Sequence, residues 1–281
     1  MKPLVTCALL WPLLVNPAFA QQRPLVTEDP ETIGAGRVLV EAGVDYAREV
    51  SYPVSGLEGH LTRGPLVGLS VGLSSIAEIQ FDGGLRNSLA ITNRDAFAPL
   101  SGMVTASGDT TSSVEDLVIA TKIRIVAETA TRPSFGVRFA TKLPNASNES
   151  GLGLDTTDFF ASVLAAKTVQ SVRVVGNVGM GILGDPTRGD RQNDVLTYGV
   201  SFARALTESA EVVGEINGHI STRDGEPPPG TATRGVARFG ARYTLGSWRA
   251  DAALLFGVTS RDPAVGVAAG FTYVFNGFQI P

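Results

Sequence analysis

Arg234-Gly-Val-Ala-Arg238-Phe-Gly-Ala-Arg242-Tyr-Thr-Leu245 alternates with a period of two. Arg234, Arg238, Gly240, Arg242 and Thr244 fall on one side, and Ala237, Phe239, Ala241, Tyr243 and Leu245 on the other. A helix would scatter the three arginines around its circumference; a β-strand sorts them onto one face. The preceding segment repeats the pattern, with Glu211, Glu215, Asn217, His219 and Ser221 opposite Val212, Ile216 and Ile220. If the two segments form a hairpin around Thr222–Thr233, one register places Glu215 against Arg238, Glu211 against Arg242 and His219 against Arg234. A slip of two residues would still leave opposite charges diagonal to one another.

Working outward, similar segments recur at Arg37–Ala47, Pro65–Gly72, Ala77–Arg86, Asp116–Val126, Phe135–Leu143, Asp158–Thr168, Val172–Leu183, Asp194–Arg204, Trp248–Thr259 and Val265–Phe275. Most are close to the roughly 9–11 residues that a tilted strand needs to cross a bilayer. The connections alternate in length: Arg48–Gly64 is long and Leu73–Ile76 short, Asn87–Glu115 long and Ala127–Ser134 short, and so on to Gly246-Ser247. A closed meander in a membrane has long loops at one end and short turns at the other. Phe135, Phe202, Tyr243, Trp248, Tyr273 and Phe275 gather near the short-turn ends, as an interfacial aromatic girdle would. The expectation is an all-β chain forming a closed antiparallel transmembrane β-barrel of about twelve strands, an up-and-down meander. A soluble barrel with its apolar face inside also alternates; loop segregation and the girdle favour the membrane form.

The two chain ends read differently from the barrel. Lys2, the apolar stretch Ala8–Val15 and Ala18-Phe19-Ala20 have the layout of an export signal cleaved after Ala20, giving residues 1–20 as signal peptide. Residues 21–36 are then a short periplasmic N-terminal segment, 37–275 the barrel and 276–281 a tail. The prolines and acids of residues 21–36 suggest a small stopper in the lumen. Cys7, the one cysteine, leaves with the signal, so disulfides and thiol chemistry are not expected in the exported chain. Losing Lys2 from the 23 basic residues against 27 acidic ones gives a mature charge of −5, with no basic tract for nucleic acid.

An apolar outer face directs the opposite face to the lumen. The candidate lining is Glu41 and Asp45, then Glu78 and Asp82 (with Arg86), Lys122 and Arg124, Arg138 (with Lys142), Arg173, Glu211, Glu215, His219, Arg238, Arg242, Arg249 and Asp251. At the bilayer midplane on the lipid side, an Arg or Lys would cost about 2–4 kcal/mol. Such a lining either selects solutes or fills and stiffens a narrow barrel. His60, expected in a loop, and His219 are the two histidines, and no G-x-S-x-G accompanies them, which argues against an esterase. Gly151-Leu-Gly153 and Pro227-Pro228-Pro229 read as loop features, and Asn145-Ala-Ser and Asn148-Glu-Ser match the glycosylation pattern, a meaning that the bacterial-type export signal argues against.

The run Arg23-Pro-Leu-Val-Thr-Glu-Asp-Pro-Glu-Thr-Ile-Gly-Ala-Gly-Arg37, followed by Val38-Leu-Val-Glu41-Ala-Gly43, resembles a family of outer-membrane transporters of the meta-pathway of phenol degradation. Lys142-Leu-Pro-Asn-Ala-Ser-Asn-Glu-Ser-Gly151-Leu-Gly153, Thr157-Asp158-Phe159 and Lys167 are similar to it too, although Pro144-Asn-Ala stands where the family tends to have Pro-Thr-Gly. The resemblance runs from about Pro24 to Phe275. It implies passage of small, aromatic or otherwise hydrophobic, solutes across the outer membrane, with lipid and solute as partners, no cofactor and no catalytic residues. The alternatives are a structural or adhesive barrel with binding loops, and a lipid-acting barrel enzyme.

Overall fold

The computed structural model describes residues 23–279. The proposed signal and its cleavage after Ala20 lie outside them, as does the end of the tail. The strands are β1 (Arg37–Tyr52), β2 (Leu57–Gly72), β3 (Ala77–Gly84), β4 (Asn87–Arg94), β5 (Thr110–Ser113), β6 (Leu117–Val126) and β7 (Ser134–Leu143). They continue as β8 (Asp158–Val169), β9 (Val172–Gly184), β10 (Gln192–Ala205), β11 (Ala210–Ser221), β12 (Arg234–Leu245), β13 (Trp248–Gly257) and β14 (Val265–Asn276). From β6 to β14 each strand pairs antiparallel with the next, and β14 returns to β1 from Arg37↔Asn276 to Arg48↔Val265. No described helix is long and apolar enough to cross a membrane.

Fourteen strand segments make twelve barrel staves. Leu66 pairs with Gly84 and Arg63 with Asn87, so β4 continues β3 along β2 in one register across a break at Leu85-Arg86. Likewise Asp82 pairs with Val118 and Asn87 with Ser113, so β5 and β6 are one interrupted stave. The stretch Asn87–Glu115 is therefore not simply a loop: residues 95–109 form the loop at the tip of a hairpin. Arg86, expected to face the lumen, lies exposed at the break. The stretch Arg48–Gly64 is also corrected, because β1 and β2 continue through it to a four-residue turn at 53–56, which puts His60 in a strand. Register shifts between Gly43 and Asp45 and between Ala47 and Val50 hid these extensions. The first moves the inward face of β2 from Leu57, Gly59 and Leu61 to the even positions Gly68 and Gly72, and the second moves that of β1 from Leu39 and Glu41 to Val50, breaking the two-residue period in both.

Polarity is inverted relative to a soluble barrel. Val178, Met180, Val200, Phe239, Leu254 and Val267 point outward and are 48–61% exposed. Facing inward, Glu78, Gln80, Lys122 and Thr272 are at most 1% exposed. In hydrocarbon an unpaired peptide group costs several kcal/mol, so closure of β1 on β14 is what permits an apolar exterior to sit in lipid. At the short-turn end Trp248 packs against Phe271 and Tyr273, and Tyr273 against Phe275, with ring centroids 4.2–5.6 Å apart. Rings of this kind are favoured at a membrane interface.

The lipid-facing surface can be tested at the middle of β9. Val178→Arg should destabilise the refolded protein in lipid vesicles by about 2–4 kcal/mol in urea titration. A change within about 0.5 kcal/mol, as at a water-exposed position, would show that this face does not meet lipid.

Candidate functional site: the filled lumen

The N-terminal segment runs inside the barrel. Gly36 N–H donates to the Gly72 carbonyl at the short-turn end (2.9 Å), and Ile33 N–H donates to Glu78 (2.7 Å). Glu31 pairs with Arg124 on β6, and Asp29 pairs with Arg173 on β9, which also donates to it through Nη2 at 2.6 Å. Glu28 lies between Arg138 (2.9 Å) and Lys122 (3.4 Å), with Lys122 also 3.0 Å from Glu78. Backbone groups of Glu28 exchange two hydrogen bonds with the Asn177 amide on β9, at 2.6 and 2.7 Å. Glu215 on β11 accepts from the Val26 and Thr27 amides at 2.9 and 2.8 Å, and from Arg238 at 2.7 Å. Arg242 on β12 donates to the Arg23 carbonyl at 2.7 Å. The Arg23 guanidinium lies 3.6 Å from Asp45 and 3.9 Å from Asp251. A segment touching β1, β3, β6, β7, β9, β11, β12 and β13 can only occupy their common interior.

The wall leaves room for it by omitting side chains. A Cβ at Gly43 or at Gly270 would collide with the Arg23 guanidinium, and one at Gly199 would come within 2.9 Å of Thr27 Oγ1. The flank of Arg173 is anchored outside the membrane span by Glu128, in the turn between β6 and β7. Burial works to raise the Glu128 carboxyl, but the Thr168 amide, Arg173 and Lys167 together hold it below its ordinary value. That stabilisation is present above the usual carboxylate range and is lost as pH falls through the lowered value.

The β11–β12 pairs adopt the expected register: Glu215↔Arg238, Glu211↔Arg242 and His219↔Arg234. Contacts do not follow register alone, since Arg242 also reaches the Arg23 carbonyl and Glu211 lies 3.6 Å from Arg249. Glu41 accepts from Thr272 at 3.1 Å, Asp45 accepts from Arg63 at 2.6 Å, and Asp82 lies 3.8 Å from Arg138. His219 Nε2 is 2.8 Å from the Ala232 carbonyl. Lys142 holds Asp116 (3.1 Å) and Asp158 (2.8 Å) toward the long-loop end. Asn177, an uncharged residue that pairs with backbone, gave no signal in a reading built on charges.

Above the segment, toward the long loops, the lumen contains a cavity of about 560 Å³. Pro24–Glu28 form its floor; Asp82, Arg138, Asn177 and Arg238 border it, with Leu66, Phe160 and Leu164 on the wall. At the long-loop end Ser55 of the β1–β2 turn donates to the Gly151 carbonyl at 2.7 Å, and Arg234 at the start of β12 donates to the Ser51 carbonyl near the end of β1 at 3.3 Å. Among the described residues no cluster of three or more metal-type side chains is present.

These features define a transmembrane β-barrel whose lumen is occupied on the short-turn side by its own N-terminal segment. The chain belongs to the family described as "Putative MetA-pathway of phenol degradation", whose model matches residues 21–275. No curated protein sequence matches it. Solved structures with a similar outline include the translocator domain of autotransporter NalP from Neisseria meningitidis (14% identity, covering 86% of this chain and 89% of that one, TM-score 0.47). Others are the outer membrane channel DcaP of Acinetobacter baumannii (11%, 85% and 96%, 0.44) and the Pseudomonas putida toluene transporter TodX (11%, 89% and 92%, 0.42).

Gly270→Val should leave the wall intact and displace the flexible end of Arg23. In planar bilayers this variant, and a chain lacking residues 21–36, should conduct several-fold more than the wild type. Unchanged conductance in both folded variants would mean that the segment does not obstruct the pore.

Proposed function

We propose that the protein is an outer-membrane channel or passive transporter for small solutes, aromatic or otherwise hydrophobic ones among them, reached by export with cleavage after Ala20. The observation that carries this reading is the lumen cavity, which combines polar and apolar walls inside a lipid-facing barrel. The charged lining, from Glu41 and Asp45 around to Arg249 and Asp251, is proposed to orient and filter solutes as rings of charge do in pores. The phenol-degradation description of the family supports a hydrophobic or aromatic cargo. It brings no catalytic residues, and the reading is of a non-enzyme.

A structural or adhesive role is the second reading. It is favoured by Phe97, 97% exposed in the loop beyond β4, on a hairpin that projects past the barrel. Flux separates the two. Liposomes carrying the refolded mature chain should take up a small solute faster than protein-free liposomes, and faster still when residues 21–36 are removed. Uptake at the protein-free rate in both cases would overturn the transport reading and favour the adhesive one.

A further inference from the structure

We propose that the lumen cavity is a binding site for an uncharged amphipathic small molecule bearing a hydrogen-bond donor, and that the N-terminal segment supplies part of that site. The inference rests on the transport reading and specifies where, and in which chemical form, a solute would pause. At about 560 Å³ the cavity is in the range of small-ligand pockets. Its apolar side is formed by Leu66, Phe160 and Leu164 of the wall together with Leu25 of the segment. Phe160 lies beside Gly181, whose missing side chain accommodates the ring.

The charges at the cavity decide which ligands fit. Arg63 is engaged by Asp45 at 2.6 Å and Glu115 at 3.1 Å, and Arg238 by Glu215 and Asn217, both at 2.7 Å. Arg138 is engaged by Glu28 at 2.9 Å and Gln80 at 2.8 Å. These three guanidinium groups are thus committed to partners within the protein, and the Arg23 guanidinium, also at the cavity, donates to the Ala269 carbonyl at 3.2 Å and lies 3.6 Å from Asp45. Among the ion-paired carboxylates at the cavity Asp82 is the most exposed, its side chain 46% exposed and 3.8 Å from Arg138. It offers an acceptor to a hydroxyl and repels a carboxylate. An anion would enter without an unengaged counter-charge, whereas a neutral molecule bears little desolvation cost. Because Leu25 and Thr27 belong to the segment held by Glu215, a molecule seated here rests on the part of the chain that blocks the way onward.

Cyclohexanol and cyclohexanecarboxylate are suitable probes, being alike in shape and different in charge. Binding to the full mature protein in amphipol would be measured by saturation-transfer NMR, with folding checked by gel mobility before and after heating. Saturable binding of cyclohexanol is expected, weakened about tenfold by Phe160→Ala and by Leu25→Ser. Cyclohexanecarboxylate should bind more weakly, and Asp82→Asn should narrow the gap. Leu25→Ser lies outside the barrel wall and serves if Phe160→Ala fails to fold. Absence of saturable cyclohexanol binding, or binding insensitive to the folded variants, would overturn the site. Equal binding of the carboxylate would overturn the assigned ligand class. Liposome flux without binding overturns this inference and leaves transport standing; binding without flux does the reverse.

Discussion

Backbone groups in hydrocarbon have no water to turn to, and the pairing of β1 with β14 answers that requirement by leaving no sheet edge within the barrel span. Everything else in the structure is downstream of that closure. Once the sheet is a tube, the two-residue period of each strand becomes a radial sorting: Phe239 and Leu254 go to lipid, Arg238 and Arg242 go inward. Twelve staves enclose a space too wide to be filled by wall side chains alone and narrow enough for one extended segment and a cavity to share it.

The inward charges then need partners, and the staves do not supply them all. Lys122, Arg124, Arg138 and Arg173 are basic residues on β6, β7 and β9, and inside the barrel the wall acids Glu78 and Asp82 of β3 pair with Lys122 and, at 3.8 Å, with Arg138. Glu28, Asp29 and Glu31 bring the missing negative charge from the N-terminal segment. On the opposite wall the sign reverses: Glu215 faces backbone amides, and Asp45 and Asp251 face Arg23. The segment thus matches the lumen's charge asymmetry side by side, which fixes its direction as well as its depth.

Much of this was legible in the sequence where charges repeat at fixed spacing. Glu211, Glu215 and His219 against Arg234, Arg238 and Arg242 marked both strands and offered the register the hairpin adopts, while a slip of two residues would also have left opposite charges diagonal to one another. The prolines and acids of residues 21–36 likewise suggested a stopper. What escaped was structure that breaks the period. Bulges near Gly43 and Ala47 turned the outer reaches of β1 and β2 into apparent loop, and the break at Leu85-Arg86 hid the continuation of β3 into β4. The cavity escaped for another reason: it is bounded by Leu25 from the segment and by Phe160 and Leu164 from one stave, which local sequence cannot bring together.

A lumen held by so many ion pairs raises the question of how passage and occlusion coexist. The answer is in what the segment buries. Leu25 and Ile33 are its deeply buried large apolar residues, while most of its hold comes from carboxylates, guanidinium groups and backbone amides. Charged groups withdrawn from water recover in pairing about what they lose in hydration, so the net hold of each pair is small compared with its count of contacts. Water entering from the periplasmic end would restore hydration to both partners at once. An apolar plug of the same size would instead be held by its full burial energy. A charged segment in a charged lumen is therefore well placed but near balance, a condition under which a modest competing interaction in the cavity above it can shift its position.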